Sequence, residues 1–316
     1  MARETALTRP MPTPAELVRQ AILGRRRDVR GAVFQWTLLL AMLLALAVLT
    51  VLLVDIVQGA LPVIRDRGVK FLGQNISRIP DRAGVAQGIK GSLIITGTVM
   101  LLAFPIGIGA AIYLEEYARD TRLTRIINAN IRNLAGVPSI VYGLLGIALF
   151  VTFAPLARLT GGRSQLTAGL TMSILVLPIV VITAAEAIRA VPESIREAGF
   201  GVGATRWEVI RSHVLPYAAP GIFTGAVLTI ARAFGEAAPL ILIGAATGFL
   251  STGTASFAEQ LRGPYTALPV QVYAYAKQNL RTFENVTAAA ALALLAVLLL
   301  VNLTAILLRN RYERRW

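Results

Sequence analysis

Arg232 and Glu236 stand four residues apart inside a largely uncharged stretch, Leu228-Thr-Ile-Ala-Arg-Ala-Phe-Gly-Glu-Ala-Ala-Pro239. Counted from Gly221, where a membrane span would begin, Arg232 lies 11 residues in, which is about 16 Å at 1.5 Å per residue and near the middle of a bilayer. An arginine at that depth costs at least about 2.5–3.5 kcal/mol, so it must face the interior of a helix bundle or a watery path. Glu236, at i+4, falls on the same helical face and can pair with it. Two readings are open. The pair is either a structural tie within a bundle or an anion site. In an anion site the planar, permanently charged guanidinium would grip a tetrahedral oxyanion through two parallel hydrogen bonds. Glu236 would then orient the arginine and moderate its hold, so that the ion can leave again.

Little else in the chain carries chemistry. There is no cysteine and one histidine, His213, which excludes a disulfide framework and any Cys/His zinc site. With no nucleophile beside it, His213 takes no catalytic role, and no catalytic or metal-binding residue is assigned. A Gly-x-x-x-x-Gly-Lys-Ser/Thr phosphate loop is missing; the nearest sequence, Gly88-Ile-Lys-Gly-Ser92, lacks that spacing.

The elements that must position Arg232 are apolar. The chain is 55% hydrophobic and 15% charged, with mean hydropathy +0.65, whereas a soluble domain carries about 25% charge. Six apolar runs are long enough to cross about 30 Å of hydrocarbon: Gly31–Val54, Gly91–Leu114, Asn133–Ala157, Gln165–Ala185, a broken run from Val214 to Ala258 that holds Arg232 and Glu236, and Asn285–Leu308; all but the broken run are uncharged. The expected fold is an all-α membrane protein of six transmembrane helices. The net charge of +14 comes from basic residues flanking these runs, so membrane lipid is the expected partner and nucleic acid is not. Segments 1–32, 115–132, 186–213 and 309–316 hold 19 of the 31 Lys and Arg, and the alternate segments hold 11. That bias predicts both termini on the cytoplasmic side of the plasma (inner) membrane.

The first run is too long for a signal-peptide core and lacks a small-residue cleavage site, so it reads as a retained anchor. The expected organisation is a basic cytoplasmic tail over 1–32 with a short helix from Ala15, a first transmembrane helix over 33–57, and an extracytoplasmic loop over 58–87. A five-helix transmembrane domain over 88–308 and a tail over 309–316 complete the chain. Pro105, Pro138, Pro178, Pro220 and Pro239 fall within runs, and each removes a backbone donor that neighbours must replace. Gly97, Gly107 and Gly109 are expected to permit close helix packing. Glu115 and Glu116, at the inner end of the second run, are expected to be solvated.

The cytoplasmic segment 190–216 has its own pattern. Pro192 and Glu193 suit the first turn of a helix. Ile195, Ala198, Gly199 and Val202 recur at i, i+3, i+4 and i+7, which gives one apolar face. Gly203 is placed to stop that helix in the left-handed conformation. Thr205-Arg-Trp-Glu208 is a capping box opening a second helix, with Trp207, Ile210 and Val214 expected on one side. On physics alone the segment is either a helix–turn–helix knob facing the cytoplasm or an amphipathic linker lying on the membrane.

This segment resembles the EAA loop of ABC importer permeases. Glu197-Ala-Gly199, three residues, Gly203, nine residues, then His213-Val-Leu-Pro216 matches five of the seven defined positions at the right spacing. Gly199 for alanine and His213 for isoleucine are the departures. The resemblance implies the type I ABC importer permease fold. It also implies that the loop, through Glu197, Ala198, Gly199, Gly203, Leu215 and Pro216, docks on an ATPase encoded elsewhere. ATP and magnesium would then belong to that partner, with no cofactor in this chain, in keeping with the missing phosphate loop.

Two more stretches narrow the resemblance. Ala231-Arg-Ala-Phe-Gly-Glu-Ala-Ala-Pro-Leu240 is similar to the fifth-helix signature of phosphate ABC importer permeases. Asn133-Leu-Ala-Gly-Val-Pro-Ser-Ile-Val-Tyr-Gly-Leu144 is similar to their third-helix signature. Leu268-Pro-Val-Gln-Val-Tyr273 resembles the PstA-type rather than the PstC-type subunit. The resemblance implies a transport subunit, not an enzyme. Its partners would be a second permease of the PstC type, a dimer of ATPase subunits and an extracytoplasmic phosphate-binding protein. Arg232 and Glu236 would line the substrate pathway. Another oxyanion, sulfate or molybdate, stays open as cargo. An ion-coupled secondary transporter would need midplane acids on more than one span, and Glu236 is the one clear case.

Overall fold

The computed structural model describes residues 29–245, 256–278 and 281–312. The expected N-terminal tail up to residue 28, with its short helix, lies outside the described residues, as do 246–255 of the fifth run and 313–316 of the C-terminal tail. Among the described residues the regular structure is entirely helical, as lipid requires when every backbone donor and acceptor must be satisfied within its own segment.

The chain divides into two units, residues 1–55 and 56–316. In the first, helix α1 begins at Val29 and every described side chain to Asp55 is exposed. The helix extends to Arg67, because Gly59-Ala-Leu-Pro-Val-Ile64 continues the apolar run. Ala60 and Val63 from its last part belong to the core of the second unit.

The second unit is built round two helices, α2 (Ala86–Ile112) and α5 (Gln165–Arg189). They lie against each other because small residues allow it. A Cβ on Gly107 would meet Val180 Cγ1 at 2.6 Å, and one on Gly169 would meet Thr98 Cβ at 2.7 Å. Gly97 and Gly109 have open space where a side chain would go, so the close packing expected of Gly97, Gly107 and Gly109 is made by Gly107 alone.

The third run departs from a simple span. An amphipathic helix α3 (Arg122–Ala135) is followed by α4 (Ser139–Gly146), which continues as a π-helical turn to Thr152. The two directions differ by 100°. Pro138 has no N–H and disfavours the helical conformation at Val137, so the helix stops at Gly136. Of the expected span Asn133–Ala157, only the part from Ser139 turns into the new direction. Among the described residues five helices are long and apolar enough to cross a membrane, and the bent pair supplies a sixth only if counted as one span.

After α5 come α6 (Glu193–Gly201) and the one-turn α7 (Arg206–Val209). A π-helical turn over Ile210–Val214 leads into α8 (Leu215–Gly235), followed by α9 (Ala238–Ile243), α10 (Leu268–Ala276) and α11 (Thr282–Tyr312). Pro105, Pro178 and Pro220 sit inside α2, α5 and α8. The core falls into three clusters. One joins α10 and α11 to Ala60 and Phe71, one surrounds Met172, and one lies around Ile188 and Val209 where α6 and α7 dock.

Candidate functional site

Arg232 occupies the last turn of α8, which ends at Gly235. Carbonyls left unpaired at a helix C-terminus favour a cation there. Arg232 Nε lies 3.6 Å from Glu236 Oε1, and the two side chains are 46% and 21% exposed. Glu236 is the residue that caps α8, and it pairs with Arg232 across the i+4 spacing as the sequence predicts. The backbone is already extended at Glu236, with φ −79° and ψ 118°, because Pro239 opens the first turn of α9 and the chain must break before it. The pair is therefore a loose, part-open contact at a helix break rather than a buried tie. At nearly half exposure, Arg232 keeps donors that the described residues of this chain do not engage.

The third-run and fifth-run signatures, about 90 residues apart in sequence, meet at this break. A Cβ on Gly143 would stand 2.8 Å from the Cα of Pro239 and 3.0 Å from Leu242 Cδ1. Tyr142, buried with Ala233 and Leu240, lies within electrostatic reach of Arg232. Its hydroxyl donates to Leu134 O at 2.8 Å, satisfying a carbonyl at the end of α3 just before the break at Pro138.

The loop 190–216 forms the helix–turn–helix that its sequence predicts. Gly203 has φ +83°, the left-handed conformation that favours glycine. The capping box is complete: Thr205 N donates to Glu208 Oε2 at 2.7 Å and Glu208 N to Thr205 Oγ1 at 3.4 Å. Two details differ. Gly199 is buried, with a would-be Cβ 2.7 Å from Val209 Cγ2, and Ile195 is half-buried, but Ala198 and Val202 face outward. Val209, Ile210 and Val214 are buried while Trp207 is 52% exposed. Ile210 and Val214 flank a π-helical turn and both face inward, while Trp207, in the α-helical turn before it, does not share their burial. Val202, Phe200 and Trp207 are exposed apolar side chains of this segment, and Glu197 and Arg206 are exposed charged ones. Leu215 is half-buried and Pro216 exposed at the start of α8.

Residues 103–316 match the family described as the binding-protein-dependent transport system inner membrane component. The chain belongs to that family. A probable ABC transporter permease of Bacillus subtilis, YqgI, is 34% identical over 191 residues, 60% of this chain and 62% of its own length. The phosphate transport system permease protein PstA 1 of Mycobacterium tuberculosis is 33% identical over 232 residues, covering 73% of this chain and 72% of that protein. A bacterial ABC transporter involved in the import of the acidic polysaccharide alginate superposes with a TM-score of 0.63 at 17% identity, over 92% of this chain and 100% of that one. At that identity the likeness carries the fold alone, and the fold is that of ABC importer permeases.

As a binding-protein-dependent permease, the chain is a multi-pass membrane component and a transport subunit rather than an enzyme. In this permease the structure also joins residues whose spacing gives no hint of contact. Glu115 and Glu116, expected to be solvated, are both paired: Glu115 with Arg189 at 2.5 Å and Glu116 with Arg196 at 2.9 Å. Two adjacent acids at the end of an uncharged run are the one trace of this in the sequence.

Proposed function

We propose that this chain is the PstA-type permease of an ATP-driven inorganic phosphate importer, forming half of the translocation pathway. The observation that carries the reading is Arg232, half-exposed at a helix break within an apolar run and only loosely held by Glu236. A structural tie would be buried and tightly bonded; an anion site needs free donors and a counter-charge that limits affinity. The PstA-named relative favours phosphate over sulfate or molybdate as the oxyanion.

In this reading a second permease of the PstC type completes the pathway, and an extracytoplasmic binding protein delivers phosphate. A dimer of ATPase subunits supplies ATP and magnesium on its own chains. Glu197, Ala198, Gly199 and Gly203, with Leu215 and Pro216 where α8 begins, form the coupling segment. Its exposed apolar side chains suit a groove on the ATPase. Both termini are cytoplasmic, by the bias of basic residues, and membrane lipid covers the apolar helices. Closure of the ATPase dimer moves the coupling segment, and the helices reorient so that phosphate passes Arg232 inward.

The test is uptake of labelled phosphate by vesicles holding the whole complex with its binding protein. Uptake is expected only with ATP on the ATPase side and is expected to resist excess sulfate. Uptake without ATP would contradict an ATP-driven permease, and displacement by sulfate would reassign the cargo.

A further inference from the structure

Arg196 lies in the coupling helix α6, yet its side chain is turned away from any docking surface. All five of its N–H donors are engaged. Nε and Nη2 donate to Glu116 Oε1 at 3.1 and 2.9 Å, Nη2 also to Ile188 O at 3.0 Å, and Nη1 to Val191 O at 2.8 Å and Glu193 Oε2 at 3.4 Å. Arg196 is 13% exposed and Glu116 8%. One planar, rigid guanidinium therefore bonds three elements: α6, the C-terminal end of α5, and the π-helical turn Tyr113–Tyr117 that ends α2. A second pair, Arg189 Nε to Glu115 Oε2 at 3.1 Å, bonds the ends of α5 and α2 directly.

We infer that the Arg196–Glu116 pair is the link through which movement of the coupling helix reaches the membrane-spanning helices. The inference rests on the transporter function proposed for the chain. A displaced α6 carries the guanidinium plate with it, and the plate bears on Glu116 and on the terminal carbonyls of α5. From there the route is packed. α2 and α5 touch at Gly107 and Val180. α5 touches α8 where Gly225 and Gly221 admit Thr183 and Ala187, a would-be Cβ standing 2.5 Å from Thr183 Oγ1 and 2.8 Å from Ala187 Cβ. α8 carries Arg232. Exposed ion pairs between flexible side chains transmit little. This pair is largely buried, and the guanidinium is held by five hydrogen bonds, so Arg196 cannot easily swing aside when α6 is pushed. Arg196 and Glu116 are positioning residues: they touch neither the cargo nor ATP.

The experiment measures ATP hydrolysed per phosphate imported by the reconstituted complex, for wild type, Glu116→Gln, Arg196→Gln and the double variant. Glu116→Gln keeps the shape of the side chain and removes its charge. Each single variant is expected to assemble with the ATPase and to raise the ATP-to-phosphate ratio tenfold or more. The double variant is expected to do no worse than the poorer single, since the two residues act as one unit. Wild-type ratios accompanied only by a lower melting temperature would overturn the inference and leave the pair a brace. Effects that multiply in the double variant would overturn it as well. If a glutamine variant does not assemble, Glu116→Asp, which keeps the charge one methylene further away, is expected to give an intermediate ratio, and a wild-type ratio there would count equally against the link. Absence of ATP-dependent phosphate uptake in the wild type would overturn the transporter function itself, whereas wild-type uptake with unchanged variant ratios overturns the link alone.

Discussion

Arg232 owes its availability to three neighbours that each do something different. The end of α8 supplies carbonyl dipoles, Glu236 supplies an opposing charge at 3.6 Å, and Pro239 forces the break that leaves both side chains part-open. The identity of the pair is legible in the sequence, because a charge inside an apolar run is costly and so conspicuous. The i+4 pairing is legible too, but the end of α8 at Gly235 and the part-open setting of both side chains are not. Glycines follow the same logic. Gly107 and Gly97 look alike in sequence, but only the first touches another helix. Gly107→Ala must push Val180 aside in a packed α2–α5 contact, at a cost of about 1–3 kcal/mol. Gly97→Ala meets nothing and is expected to be neutral or slightly stabilising through helix propensity. Thermal unfolding in detergent should show a lower melting point for the first and no loss for the second; equal effects would mean that the α2–α5 contact is looser than described.

Among the elements, the coupling segment is the most legible, because its signals are local: a proline at the helix start (the N-cap rather than the first turn), a left-handed glycine and a capping box act within a few residues. The direction of its faces is hidden. Periodicity groups Trp207 with Ile210 and Val214, yet Trp207 is 52% exposed, and nothing in the order of Ile210-Arg-Ser-His-Val214 announces its π-helical turn. The bend at Pro138 is hidden for a related reason. Asn133–Ala157 reads as one uncharged run, yet the break at Gly136-Val137-Pro138 assigns its start to an amphipathic helix at 100° to the rest. The pairing of Glu116 with Arg196 is invisible, as contacts 80 residues apart leave no periodic trace. At this scale Gly203→Pro is a decisive variant. Proline fixes φ near −65°, whereas Gly203 holds +83°, and the change also deletes the bond from Gly203 N to Phe200 O at 2.9 Å. The variant is expected to insert in the membrane but to lose ATPase copurification and ATP-driven uptake. Normal transport would show that the segment 192–213 does not couple.

For the whole molecule, the packing of 56–316 gives one continuous route from the coupling segment through α5 to the break that holds Arg232. Segment 190–216 leads into the start of α8 and Arg232 lies in its last turn, so in the proposed function drive and cargo meet opposite ends of one helix. Six apolar runs and their basic flanks make the membrane class plain, but the route itself depends on which helices touch. Everything proposed for this permease depends on an oxyanion passing Arg232 under the drive of an ATPase on another chain. Labelled phosphate uptake by vesicles holding the assembled complex tests that directly, with wild type compared with Arg232→Gln. The variant is expected to assemble and still hydrolyse ATP but to import phosphate at least tenfold more slowly, a loss of about 1.4 kcal/mol or more at the rate-limiting step. Uptake at the wild-type rate by Arg232→Gln would contradict a pathway past that residue.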